Sequence, residues 1–286
     1  MKKKDRRDRK DGYYVKDADD INKFMPYLLP SRIERQLYVM LNVDATNILA
    51  YLAERKSVEG NNVTLYTTII SALVRTIAIR PRLNRFVKGY RIYQREKIHV
   101  GHIGMVSFED NSERTVKKIV FTPEADIFEI STSVTNDIKS MRSGEESPTE
   151  DTITKLANAP RFYTRFICWV NRFLSFHGWS LKKFTEGDPY HSTFFISNLG
   201  SIKCTPPIHH LTEFGTNSLF VTMGPLEDRP AVVDGEIVIR PFIDIIITLD
   251  DGIAGGYYFS TALKVFEELL DNPRLLEQRY VQEVEQ

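Results

Sequence analysis

A candidate catalytic segment, ITLDDGIAGGYYF at 247–259, lies near the carboxyl end of the chain. Asp251 follows a predicted strand, and Gly255 and Gly256 precede a predicted helix. A carboxylate placed there can act as a general base, but an unperturbed aspartate has a pKa of about 3.9 and is a weak base at neutral pH. Burial would raise that pKa. The calcium-loop pattern D-x-[DN]-x-[DN]-G is absent, and we expect no metal site.

A second set of polar residues, His209, His210 and Thr212, lies in one short segment. Imidazole titrates near neutral pH, so either histidine can accept a proton from an attacking hydroxyl or thiol. The alternative is that both are loop histidines whose nitrogens bond to backbone groups. His99 and His102 are predicted to lie on opposite faces of one strand and to serve as sheet residues.

Charge and composition exclude several classes of protein. Among 286 residues, Lys and Arg total 38 and so do Asp and Glu, so no global charge favours nucleic acid. Two cysteines are too few for a disulfide framework, and we expect a cytoplasmic protein. No stretch reaches the roughly 18 apolar residues of a membrane-spanning helix.

Hydrophobic periodicity predicts an α+β fold with a mixed sheet, because helices dominate the first half and hairpin-paired strands the second. Helices are predicted over 44–55, 65–80, 124–142, 161–176 and 259–271. Strands are predicted over 36–43, 90–94, 98–108, 115–121, 192–198, 218–223, 231–233, 237–239 and 242–249. Asp234-Gly235 between two short strands predicts a hairpin turn.

The predicted domain organisation is a basic amino-terminal arm at 1–25, one core domain at 26–276 and a short tail at 277–286. Residues 1–12 carry seven basic and three acidic side chains, a composition that cannot bury surface. Residues 144–151 are predicted to form a polar internal loop.

The helix at 161–176 has an unusual distribution of side chains. At 100° per residue, Arg161, Arg165 and Arg172 fall within about 40° of one another, with Phe and Trp on another side. A core helix with a solvated arginine edge is the simplest interpretation. Contact with an anionic ligand or with a membrane surface is the weaker alternative.

Several strings resemble the catalytic core shared by chloramphenicol acetyltransferases and by the dihydrolipoyl acyltransferases of 2-oxoacid dehydrogenase complexes. The segment at 247–259 resembles the family motif H-x-x-x-D-G, and FISNLG at 195–200 resembles F-x-I-S-N-L-G. The segments at 224–230 and 232–240 resemble the hairpin that precedes the catalytic strand. The resemblance runs from about Pro26 to Leu276.

The resemblance implies a two-layer sandwich that forms a homotrimer, with an active site at each subunit interface and a larger cage as a further assembly. In it, Asp251 stands where the catalytic histidine belongs and Gly255 where an aspartate belongs, while Gly256 matches. The segment from His209 to Thr212 resembles a stretch that supplies a hydroxyl for the tetrahedral oxyanion, which implies Thr212 as that donor.

The resemblance further implies CoA or acyl-CoA as co-substrate, without a covalently bound cofactor. It also implies that Ser197, Asn198 and His209 contact the substrate. Two functions follow. The first is a trimeric ligand-binding or structural subunit whose acyl transfer is impaired. The alternative is an active enzyme that moves an acyl group to a small hydroxyl or thiol acceptor, with His210 or Asp251 as the relocated base.

Overall fold

The computed structural model describes residues 5–105, 114–143, 154–179 and 187–281. Its strands in chain order are β1 (Tyr13–Tyr14), β2 (Gln36–Asp44), β3 (Arg85–Lys88), β4 (Arg91–Gln94), β5 (Ile98–Met105), β6 (Arg114–Phe121), β7 (Phe194–Asn198), β8 (Leu219–Val233) and β9 (Glu236–Asp250). Its helices are α1 (Asp20–Leu28), α2 (Thr46–Lys56), α3 (Leu65–Ile79), α4 (Ile127–Arg142), α5 (Arg161–His177) and α6 (Gly256–Asp271).

The main sheet has six strands in the order β2-β9-β8-β7-β5-β6. Strand β7 runs parallel to both of its neighbours, and the other pairs are antiparallel. A small antiparallel sheet has the order β1-β4-β3. The α+β class and the mixed sheet are therefore confirmed.

Helices cover one face of the main sheet, and α3 lies at their centre. Twelve of the fifteen residues of α3 are buried, because the helix is apolar on most sides and contacts both α4 and α6. A reciprocal capping box between Thr64 and Thr67 begins the helix, and Pro81 follows its end. The helix therefore provides the rigid support behind the central strands.

The other face of the sheet is partly covered by the chain between β7 and β8. Leu211 from this segment packs with Phe195 and Phe220 in a small apolar cluster separate from the main core. We call residues 199–218 the covering segment. The covering segment carries His209, His210 and Thr212, so its position determines which of these candidate residues reach a binding site.

Strands β8 and β9 are much longer than the sequence predicted. The short strands expected at 231–233 and 237–239 are the outer parts of two fifteen-residue strands, so those predicted bounds were wrong. The turn at Asp234-Gly235 is confirmed, with positive φ at both residues. From Leu226 to Ile243 these strands form a two-stranded arm, which pairs with no other described strand except at Val43 and Asp44 of β2.

Part of the predicted amino-terminal arm is folded against the domain. Arg9 is buried beside the rings of Phe86 and Tyr93, and it donates a hydrogen bond to the carbonyl oxygen of Ser175 at 2.6 Å. Strand β1 pairs with β4. The expected loop at 144–151 and residues 106–108 of the expected strand lie outside the described residues.

Candidate functional site

The strand that ends in the predicted motif is held by a buried ion cluster. The Asp250 carboxylate is fully buried, and it accepts a hydrogen bond from Arg35 Nε at 2.9 Å. Arg32 Nε lies 3.6 Å from the other carboxylate oxygen. Asp250 Oδ1 also accepts the backbone N–H of Gly252, which lies within the short 3-10 turn Asp251–Ile253 before α6. The carboxylate thus fixes the backbone on both sides of residue 251.

Both arginines of the cluster also bind backbone carbonyls elsewhere. Arg35 donates to the carbonyl of Leu29, and Arg32 donates to those of Thr212 and Val87. Burial lowers the pKa of the Arg32 guanidinium, and Asp250 counteracts that effect. The cluster therefore ties the end of β9 to the start of β2, to β3 and to the covering segment.

Asp251 itself is half-buried, and its backbone N–H donates to the carbonyl of Arg35 at 2.8 Å. Burial raises the pKa of its carboxyl, the neighbouring Asp250 raises it further, and Arg35 opposes both. Gly255 and Gly256 are exposed and have open space where a side chain would begin. Among the described residues, a buried ion pair near this motif lies at Asp250 rather than at Gly255, where the resemblance places an aspartate.

A cavity of about 420 Å³ surrounds the carboxyl end of β7. It is bounded by β5, β7, β8, by α3 and α4 on the helical side, and by the covering segment on the other. Its lining residues are Tyr66, His102, Ile103, Gly104, Ile138, Met141, Ser197, Asn198, Leu199, Ser201, Ile202, Pro207, His209, Phe220 and Thr222. The volume lies within the range of small-molecule sites.

Polar side chains of β7 and β8 meet in this cavity. Ser197 is paired with Thr222 across the parallel strands, so both side chains lie on the same face of the sheet. The hydroxyl of Thr222 donates to the carbonyl of Pro207 at 2.8 Å. Asn198 Oδ1 is buried and has no hydrogen-bond partner among the described residues. A buried acceptor without a partner is costly, and Asn198 is among the residues that line the cavity.

The imidazole of His209 lies flat on the ring of Phe220, with centroids 3.8 Å apart. His209 Nδ1 lies 2.8 Å from the carbonyl oxygen of His210. A carbonyl can only accept, so Nδ1 carries the proton and Nε2 of the neutral ring keeps its lone pair. Burial lowers the pKa of His209, which keeps the ring neutral at physiological pH. Nε2 is thus the ring nitrogen that can accept a proton.

On the helical side, His102 pairs with Asp137 of α4. His102 is buried, and its Nε2 lies 2.6 Å from Asp137 Oδ2. Its position as a sheet residue agrees with the sequence prediction. The strand register places it beside Ile196, on the opposite face from Ser197. His102 borders the cavity without sharing a face with Ser197 and Thr222.

The structure brings three of the predicted site residues together and leaves the others apart. Ser197, Asn198 and His209 line the cavity. His210 is exposed, and the Thr212 hydroxyl donates to the carbonyl of Phe214, so neither lines it. Asp251 is also absent from the lining. Residue 246, which pairs with Thr222, precedes it by five positions, so the separation along the strand is about 16 Å.

The sequence did not reveal Thr222, or the cluster of Asp250 with its two arginines. Thr222 was placed in a predicted strand without a role, and only its register against Ser197 brings it into the cavity. Arg35 is 215 positions away from Asp250. The sequence did contain one signal for the role of Asp250. Asp250 and Asp251 are adjacent at a strand end, where successive side chains point to opposite faces, so one of the two must point inward.

Comparison with known proteins identifies the class to which this fold belongs. Residues 180–277 match the family of 2-oxoacid dehydrogenases acyltransferase (catalytic domain). The mitochondrial dihydrolipoyllysine-residue succinyltransferase component of the 2-oxoglutarate dehydrogenase complex from Saccharomyces cerevisiae is 33% identical over 95 residues. That match covers 32% of this chain and 19% of the yeast protein, so the chain matches about a fifth of that relative's length.

Solved structures extend the similarity of fold to most of the chain. A probable dihydrolipoamide acetyltransferase from Listeria monocytogenes has a TM-score of 0.58 at 15% identity, covering 89% of this chain and 92% of that one. The dihydrolipoamide acetyltransferase of Azotobacter vinelandii has a TM-score of 0.60 at 14% identity, covering 89% and 87%. The predicted resemblance is confirmed: the chain has the fold of these acyltransferase catalytic cores, and residues 180–277 match the family.

Loss of the buried partner of Asp250 should destabilise the fold strongly. Arg35→Met leaves a buried carboxylate with one distant guanidinium, and we expect a loss of about 3–5 kcal/mol in the free energy of unfolding. Arg91→Met, at an exposed position, is the matched control and should change stability by less than about 0.5 kcal/mol. Chemical denaturation measures both variants. Equal losses would show that the buried pair has no special role.

The raised pKa of Asp251 predicts a pH-dependent cost to folding. The folded state binds this proton more tightly than the unfolded state, so stability falls as pH rises from the ordinary aspartate pKa through the raised value. Asp251→Asn removes that loss. We expect its thermal midpoint to exceed that of the parent protein by about 1–3 °C at pH 7, and by less at pH 4.

The exposed Asp228→Asn serves as the matched control for this change, because it makes the same substitution at the surface. A gain for Asp251→Asn that is as large at pH 4 as at pH 7 would contradict the assignment.

Proposed function

We propose that this protein binds a CoA thioester in the cavity at the end of β7 and that position 251 does not supply its general base. The observation that carries the proposal is the meeting of Ser197, Asn198, His209 and Thr222 around one cavity of about 420 Å³. A volume of that size suits an acyl group and part of a pantetheine arm, with the nucleotide outside.

The chemistry of Asp251 supports the second half of the proposal. Its pKa rises from a starting value of 3.8, and the adjacent Asp250 already occupies the nearby cations. A carboxylate would also repel the negative charge that develops on a thioester oxygen during attack. The first candidate function is therefore a ligand-binding or structural member of the acyltransferase family with impaired acyl transfer.

We further propose that the protein forms a homotrimer, as the resemblance implies. The two-stranded arm supports assembly, because an isolated hairpin is only marginally stable in water. Val232, Ile237 and Ile239 on the arm are each more than two-thirds exposed. Apolar side chains at the tip of a projecting arm suit burial against another copy. A larger cage would be a further step of the same assembly.

A second candidate function is active acyl transfer with a base from the covering segment. The specific observation is the orientation of His209, which lines the cavity with a neutral ring and an available Nε2. The sequence pointed to its neighbour His210 or to Asp251 for this role. Because neither of those lines the cavity, we assign the base to His209 in this candidate.

The reaction would proceed in two steps. His209 Nε2 takes the proton of an acceptor hydroxyl or thiol, whose oxygen or sulfur attacks the thioester carbonyl. Ser197 donates a hydrogen bond to the resulting oxyanion. Collapse of the tetrahedral intermediate breaks the carbon–sulfur bond. The CoA thiolate then recovers the proton from His209, so the enzyme returns to its starting state.

Binding and chemistry can be separated with two pairs of variants. Calorimetric titration with CoA and acetyl-CoA should show saturable binding that Ser197→Leu weakens at least tenfold, because the larger side chain fills the cavity. The exposed Ser57→Leu is the control and should bind normally. Normal binding by Ser197→Leu, or no binding by the parent protein at millimolar ligand, would refute the proposed site.

For the active candidate, His209→Gln should lower kcat by about 10²–10⁴-fold while acetyl-CoA affinity is kept. The adjacent and exposed His210→Gln should leave kcat within about twofold. Since burial lowers the pKa of His209, the acid limb of the pH–rate profile should lie below pH 6.5. Unchanged turnover in His209→Gln would exclude this base. Binding without turnover of any acceptor would leave the first candidate.

A further inference from the structure

The outer surface of α5 is a row of exposed aromatic side chains. We define the aromatic face as Phe162, Phe166, Trp169, Phe173 and Trp179, which follow one another along one side of the helix and just beyond its end. Phe162 is 77% exposed, and both tryptophans are about 60% exposed. These are the two tryptophans of the chain. Aromatic side chains of this size are normally buried in a globular protein, so this surface requires a partner.

The helix is attached to the domain mainly at its carboxyl end. Ser175 is its one buried residue, and its carbonyl accepts the hydrogen bond from Arg9. The ring of Phe176 meets Tyr90 edge-on at 5.5 Å, and Gly89 lies close to the carbonyl of Phe176. These contacts hold α5 in place while its aromatic face points away from the rest of the described chain.

Positive charge lies along one edge of the aromatic face. Arg161, Arg165 and Arg172 are exposed and lie within about 40° of one another around the helix. Residues 161–179 contain no aspartate or glutamate. The prediction of a buried core helix was therefore wrong, because the aromatic residues expected in the core are the exposed ones.

We propose that the aromatic face of α5 docks this protein onto the surface of an anionic phospholipid bilayer. Tryptophan and phenylalanine bordered by arginine are the side chains that favour the boundary between headgroups and acyl chains. The arginines complement lipid phosphates, and their aliphatic stems reach along the apolar layer. The helix lies in the plane of the surface, anchored to the domain by its carboxyl end.

Charge distinguishes this partner from a second copy of the chain. Two such faces packed together would bring six guanidinium groups into one interface with no acidic residue on either helix. Like charges in a buried interface oppose association. An anionic bilayer instead supplies a negative counter-charge and an apolar layer together.

Within the described residues, no helix is both long and apolar enough to cross a membrane. The proposal does not depend on the proposed catalytic function.

The two tryptophans make the proposal directly measurable. The intact protein is mixed with vesicles of phosphatidylcholine, with or without phosphatidylserine, and is followed by tryptophan fluorescence and by flotation. We expect a blue shift and flotation only with phosphatidylserine present. Replacing Arg161, Arg165 and Arg172 by glutamine should lower the partition coefficient about fivefold for each charge removed.

A matched pair of aromatic variants locates the contact. Phe166→Asp on α5 and Phe24→Asp on α1 both replace a phenylalanine that is about 60% exposed, so neither should unfold the protein. Only Phe166→Asp should abolish flotation. The proposal is overturned if the protein stays at the bottom with every vesicle, if it binds neutral vesicles equally, or if both variants behave alike. A blue shift that follows protein concentration without vesicles would assign the face to a second copy instead.

Discussion

The Asp250 carboxylate, buried between Arg35 and Arg32, is the interaction on which the geometry of the site depends. Ion pairs withdrawn from water depend on further hydrogen bonds to their remaining polar groups, and here backbone carbonyls from three parts of the chain accept from the two guanidinium groups. Arg32 Nε, 3.6 Å from Asp250, makes no hydrogen bond within the described residues. The cluster therefore specifies where β9 ends, where the turn before α6 begins, and where the covering segment crosses the sheet. A conformational slip in any of these elements would expose an unpaired charge.

The ion cluster keeps Asp251 apart from the cavity, although the sequence motif alone would assign both to one site. The cluster fixes Asp251 at the end of β9, while Ser197 and Thr222 line a cavity about 16 Å along the sheet. Within one subunit, the carboxylate and the cavity do not meet. In the proposed homotrimer, the projecting arm of one subunit would meet a neighbouring subunit. Chemistry that avoids position 251 is consistent with the orientation of His209.

The sequence patterns of short segments predicted those features of the fold that interactions within short segments determine. The apolar sides of α3 and the Asp234-Gly235 turn are decided by short segments of sequence, and both were predicted. The continuity of β8 and β9 was not predicted, because proline cannot donate to a strand ladder and Pro230 and Pro241 interrupt the pattern. In a two-stranded arm each strand has a free edge, and that edge tolerates proline. Thr222 and Arg35 acquire their roles through distant pairing, which no local pattern contains.

The most direct measurement is a crystal structure of the protein with acetyl-CoA, solved with the Asp251→Asn variant alongside the parent chain. We predict that the thioester lies in the cavity at the end of β7, with its carbonyl oxygen within hydrogen-bond distance of Ser197 and its acyl carbon facing His209. The variant should bind the ligand in the same place. A thioester bound away from Ser197 and His209, or one displaced by the change at residue 251, would contradict the central claim.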